Sequence, residues 1–160
     1  MAIEPDSALE VEVQIVSSSE SVPASESLQA WVESAMDRRC AATLTLRVVD
    51  ETESSELNER FRTASGPTNV LAFPPGDSLP DIADELPPLG DIVICAPVVE
   101  REAAEQGKSL DAHWAHICIH GALHLLGFDH ETENEAEVME AREVEILQSL
   151  GFPNPYIDAG

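Results

Sequence analysis

The sequence predicts a single α+β domain, and three observations carry that reading. A chain of 160 residues fits one domain and leaves little room for two. Its hydrophobic fraction of 43% suffices for one buried core, and with aromatics at only 4% that core must be largely aliphatic. Four short segments of strand character are interspersed with several helical ones.

The elements follow in order. Residues 1–7 are expected to fray. Leu9, Val11, Val13 and Ile15 alternate with Glu10, Glu12 and Gln14, the period of a half-buried strand. A helix follows from Ala24 to Arg39, with Leu28, Trp31, Val32 and Ala35 on one face. Leu44, Leu46 and Val48 alternate with Thr43, Thr45 and Arg47 as a second strand. Asp50 or Thr52 is expected to cap a helix through Phe61. Gly66-Pro67 marks a turn before the apolar strand Val70–Phe73, which Pro74-Pro75 stops. Residues 74–88 read as an exposed loop, Gly90-Asp91 as a structural turn, and Asp91–Ala96 as the fourth strand. Pro97 opens a helix that Gly107 stops. A further helix spans Leu110–Leu126 with Gly127 just beyond it. The last runs from Glu133 to Leu150, before Gly151 and Pro153, and residues 152–160 are expected to fray.

Composition excludes several classes. No apolar run is long enough to span a membrane. Met1–Glu12 is acidic and lacks the features of a signal peptide, so the expected compartment is the cytoplasm. Cys40, Cys95 and Cys118 are odd in number and widely spaced, which reads as three reduced core thiols. The net charge of −23, from 31 acidic against 8 basic residues, opposes nucleic-acid binding at long range. Screening limits that opposition to roughly 8–10 Å, so a few arginines inside a cleft can still act.

One segment carries chemistry. Residues 120–130 read His-Gly-Ala-Leu-His-Leu-Leu-Gly-Phe-Asp-His. His120 and His124 stand four apart on a predicted helix, so their imidazoles project from one face and can converge on one ion. Gly127 permits a sharp turn that brings His130 back as a third ligand. Three neutral nitrogens leave a fourth tetrahedral position for water, the arrangement of a catalytic zinc site. The spacing matches the metzincin peptidases, except that Gly121 stands where those enzymes carry their glutamate base. Peptidase chemistry is therefore disfavoured, and phosphodiester hydrolysis gains. The base is left to the metal hydroxide, to Asp129 or to His116; His113 and His116 share the helical side of His120. A second cluster is Phe61-Arg62 followed by Gly66–Pro74. Arg62 is either a phosphate clamp or a surface ion pair, and Thr68 and Asn69 either cap the turn or contact substrate. The six glutamates Glu133, Glu135, Glu137, Glu140, Glu143 and Glu145 read as a solvated face.

The histidine segment, together with Pro67-Thr-Asn-Val-Leu-Ala-Phe-Pro74 and Gly90-Asp-Ile-Val-Ile94, resembles the YbeY family of bacterial metallo-endoribonucleases. The resemblance covers roughly residues 9–150. It implies a mixed four-stranded sheet packed with about five helices, and a zinc site at the end of the penultimate helix. It further implies one Zn2+ held by His120, His124 and His130, with Arg62 on the RNA phosphate. The implied activity is single-strand-specific RNA cleavage in 16S rRNA 3′-end maturation and ribosome quality control. The implied partners are RNA and the small ribosomal subunit, with neither DNA nor membrane. Ala72 stands where the family often has Ser, and Phe128 where Tyr is common. A non-catalytic assembly factor, with Asp129 closing the fourth metal position, is the competing reading.

Overall fold

A computed structural model describes residues 9–36, 42–74, 88–128 and 131–156. Expectations for residues 1–7, the end of the first helix at Arg39, Cys40, nearly all of the loop after Pro74, Asp129, His130 and residues 157–160 lie outside the described residues.

The described elements are β1 (Leu9–Ile15), α1 (Ser25–Ser34), β2 (Ala42–Val49), α2 (Glu51–Arg62), β3 (Val70–Phe73), β4 (Pro88–Cys95), α3 (Ala96–Gln106), α4 (Leu110–Leu125) and α5 (Glu133–Ser149). The four strands form one sheet in the order β1-β2-β4-β3. β1, β2 and β4 run parallel, and the short edge strand β3 pairs antiparallel with β4. The α+β class with a mixed four-stranded sheet and five helices is thus the observed architecture.

The sheet has a core on each face. Leu44, Leu46, Val48, Ile92 and Ile94 point to the larger one, where they meet Leu28 and Val32 of α1 and Trp114, Ile119 and Leu123 of α4. On the other face Val49, Leu71, Val93 and Cys95 pack with Leu57 of α2 and Phe73. The alternation read from β2 sends Leu44, Leu46 and Val48 to the larger core and leaves Thr43, Thr45 and Arg47 half-buried on the other face. α4 is buried on nearly every side, from Trp114 through Cys118 to Leu123, as an apolar helix at the centre of a domain must be.

Three expectations need correction. Asp50 sits at the N-cap of α2 but does not cap it. Its carboxylate instead accepts bonds from Ser17 Oγ at 2.5 Å and from Ser18 N at 3.1 Å, tying the exit of β1 to the exit of β2. Thr52 lies inside the helix. Gly90 is no turn. It lies within β4, where Thr43 pairs with Pro88 and Leu44 with Gly90, leaving Leu89 as an extra residue in a bulge. Residues 152–156 do not simply fray: Phe152 packs edge-on to Trp31 at 6.1 Å, and the Tyr156 hydroxyl donates to Glu143.

Two glycines set the approach of α4 to the sheet. A Cβ on Gly121 would lie 2.9 Å from Ile92 Cγ2 and 3.2 Å from Val70 Cγ2. A Cβ on Gly90, at φ +140°, would lie 2.5 Å from the Phe73 carbonyl oxygen and 2.7 Å from Leu125 Cδ2. Gly121→Ala should therefore destabilise the fold by about 1–3 kcal/mol, the usual cost of overpacking. Gly90→Ala should cost more, because it meets backbone and a left-handed φ as well. Urea unfolding of the two variants checks both the magnitude and the order.

Candidate metal centre

The site is built on α4. Ser109 caps the helix by accepting the Ala112 N–H at 3.1 Å. At its other end the Gly127 N–H reaches the His124 carbonyl and the Phe128 N–H reaches the Leu123 carbonyl, each at 3.0 Å. With Gly127 at φ +103°, this is a Schellman ending, which turns the chain sharply after the last histidine of the helix.

Between these ends His113, His116, His120 and His124 follow one another at helical spacing. The Nε2 atoms of His120 and His124 lie 3.2 Å apart, with the rings at 81° to each other. A tetrahedral ion with bonds of roughly 2.0–2.1 Å holds its ligand nitrogens about 3.3 Å apart. Two imidazoles at the observed distance therefore fit adjacent corners of such a site. The third expected ligand, His130, and the base candidate Asp129 lie outside the described residues.

The residue that organises this face comes from α5. Glu143 is 0% exposed. Its Oε2 lies 2.5 Å from His120 Nδ1, and its Oε1 lies 2.9 Å from His116 Nε2 and also accepts from the Tyr156 hydroxyl. Burial alone would push its carboxyl upward, but the bonds from His116 and His120 outweigh that and hold it at about 2. The expected solvated face of glutamates is thus wrong at one position, while Glu133, Glu135, Glu137, Glu140 and Glu145 are exposed. A signal for the exception was available: Met139, Ile146 and Leu147 form the buried stripe of α5, and position 143 falls in its middle.

His113 is held separately. It is buried, and its Nε2 lies 2.9 Å from Glu102 Oε1 on α3. Asn69 donates to the same carboxylate at 3.1 Å, while its carbonyl accepts the Cys95 N–H at 2.9 Å. Asn69 therefore ties β3 to α3. Ser54, which donates to the Thr68 carbonyl and accepts the Thr68 N–H, fixes the preceding turn against α2. His113, His116, Glu102, Asn69, Lys108 and Tyr156 border a cavity of about 400 Å³.

On the other side of Asn69 and His120 opens a cleft of about 640 Å³, which Arg62, His124 and Phe128 also line. Arg47, Arg101 and Arg142 each pair with a glutamate. Arg62 instead donates to the Ala72 carbonyl at 2.7 Å and lies over the Phe73 ring at 5.7 Å. The ion-pair reading of Arg62 does not hold among the described residues; its charge is anchored by a neutral group. Ala72 serves this contact through its backbone. Cys95 and Cys118 are buried free thiols, as expected of core residues, and burial pushes the Cys118 thiol far above its ordinary value.

The sequence profile of the family described as Endoribonuclease YbeY matches residues 11–151. The chain belongs to that family. Its similarity to YbeY proteins extends over most of both chains. The protein named Endoribonuclease YbeY from Pseudomonas putida (strain W619) is 56% identical over 137 residues, covering 85% of this chain and 86% of that one. Its namesake from Pseudomonas syringae pv. syringae (strain B728a) is 52% identical over 151 residues, covering 94% and 89%. A solution structure of a Thermotoga maritima protein superposes with a TM-score of 0.50 at 26% identity, covering 92% of this chain and 98% of that one.

Burial lowers the pKa of His113 below its ordinary value of 6.5, against the opposing pull of Glu102. A base with a depressed folded-state pKa takes up its proton first in the unfolded chain. The stability it contributes is complete above about pH 6.5 and is lost as pH falls toward the folded value. His113→Gln should flatten the loss of stability seen between about pH 7 and pH 5. Urea midpoints of both proteins across that range test this, and parallel curves would contradict it.

Proposed function

We propose that this chain is a zinc-dependent, single-strand-specific endoribonuclease acting in 16S rRNA 3′-end maturation and ribosome quality control. The observation that carries the reading is the convergence of His120 Nε2 and His124 Nε2 at 3.2 Å, in the same cleft as Arg62. Membership of the YbeY family supports an activity on RNA.

His120 and His124 would hold one zinc ion, with His130 as the third ligand. When bound, such an ion activates a water and polarises a phosphodiester. The remaining work falls to the chain itself. Arg62 offers a planar guanidinium to the phosphate oxygens and opposes the charge that develops on them. Its anchor on the Ala72 carbonyl holds it at the cleft wall before substrate arrives.

Gly121 stands where a peptidase carries its glutamate base, and its Cβ position is already against Ile92. His116 gives its Nε2 to Glu143, and its buried Nδ1 has no partner among the described residues. That favours a holding role for His116 over proton exchange with substrate. No helix among the described residues is long and apolar enough to cross a membrane. A cytoplasmic location, with the small ribosomal subunit and its proteins as partners, is part of the same proposal.

The test is cleavage of an unstructured RNA oligonucleotide, with a chelator control and a DNA oligonucleotide of the same sequence. Arg62→Ala should keep its zinc and lose about 10²- to 10³-fold in rate, the loss typical of removing one charge-stabilising group. His120→Ala should lose zinc and cleavage together. Undiminished cleavage by His120→Ala would sink the proposal.

A surface of net charge −23 should bind free RNA weakly, with ribosomal contacts supplying most of the positioning. Filter binding should give a dissociation constant in the micromolar range or weaker at physiological salt, and nanomolar affinity would refute this.

A further inference from the structure

We propose that Glu143 is a positioning residue of the metal centre: its buried carboxylate fixes His120 as the Nδ1–H tautomer and aims the Nε2 lone pair at a cation shared with His124. The inference rests on the metal-site reading above and extends it to α5, which supplies none of the expected ligands.

The geometry leaves little choice of proton position. An ionised carboxylate only accepts hydrogen bonds. Glu143 Oε2 lies 2.5 Å from His120 Nδ1, so the shared proton belongs to Nδ1. A neutral ring protonated there has its lone pair on Nε2, the atom that lies 3.2 Å from His124 Nε2. The same carboxylate fixes the ring's rotation, since the bond holds one edge of the imidazole against α5.

Packing alone does not account for a glutamate at this position. Met139, Ile146 and Leu147 make up the buried stripe of α5, and a leucine at 143 would complete it. A buried carboxylate is costly unless its lone pairs are taken up. Here three donors take them up: His120 Nδ1 on one oxygen, and His116 Nε2 and the Tyr156 hydroxyl on the other. Two of the donors come from α4 and the third from the segment that follows α5. The anchors of α5 are therefore also anchors of the site. They are the Thr132–Glu135 capping box at its start and Phe152 against Trp31 beyond its end. A carboxylate behind a metal-binding histidine fixes its tautomer and raises its basicity, and losing one typically costs 10- to 100-fold in metal affinity.

Two measurements on the full chain test the proposal. The first is the tautomer of His120 in the metal-free wild-type protein, read from long-range ¹⁵N–¹H couplings. Nδ1–H is expected, and Nε2–H would overturn the inference whether or not any variant folds. The second is zinc affinity by chelator competition. Glu143→Gln should bind zinc about 10- to 100-fold more weakly, with loss of the single His120 tautomer. Glu145→Gln, on the exposed face beside Arg142, should match wild type. A Glu143→Gln protein with wild-type zinc affinity would overturn the positioning role while leaving the metal site intact. A wild-type protein that binds no zinc would overturn both, and that outcome identifies the metal reading as the one at fault.

Discussion

A helix buried on nearly every side has to find partners for the polar groups it carries, and α4 carries four histidines into the middle of the domain. Unpaired polar groups are costly there. The structure meets part of the demand with carboxylates from both flanking helices, while His113 Nδ1, Trp114 Nε1 and His116 Nδ1 keep no partner among the described residues. Glu102 on α3 serves His113, and Glu143 on α5 serves His116 and His120. Much of the rest follows from this arrangement. α3 and α5 must dock on either side of α4, Asn69 must bring β3 against Glu102, and the chain after α5 must return far enough for Tyr156 to reach Glu143.

The same helix has to lie close to the sheet, because the cleft is formed between its last two turns and β3. Gly121 and Gly90 permit the approach, one on each surface. Gly121 thus has a packing reason to be glycine, separate from any bearing its identity has on the chemistry. The bulge at Leu89 belongs to the same region, since a Cβ on the neighbouring Gly90 would run into the Phe73 carbonyl and Leu125. Arg62 completes the cleft from the last turn of α2. Its guanidinium is tied to the Ala72 carbonyl, a neutral group, at the wall of that cleft.

Much of the fold was legible because it follows from local periodicity. The alternation in β1 and β2, the glycine stops at Gly107, Gly127 and Gly151, and the strand Val70–Phe73 all sit within a residue or two of their expected places. What was not legible depended on non-local partners. Asp50 has the residue type of a cap, but two serines after β1 compete for its carboxylate. Gly90 has the residue type of a turn, but the pairing with β2 makes it part of a bulge. Residues 152–156 lack periodicity, yet Trp31 and Glu143 give them something to pack on.

Glu143 shows where composition and position disagree as signals. Counted by type it is one of six acidic residues on a helix, and acidic runs on helices are normally solvated. Counted by phase it falls between Met139 and Leu147, four residues from each, on the side of α5 that faces α4. The two signals give opposite answers, and phase is the better guide, because the 3.6-residue repeat is a geometric property of the helix while charge only states a preference for water. A carboxylate in phase with a buried stripe therefore implies a buried donor on the neighbouring element. Here that neighbouring element is α4, whose His116 and His120 meet the carboxylate.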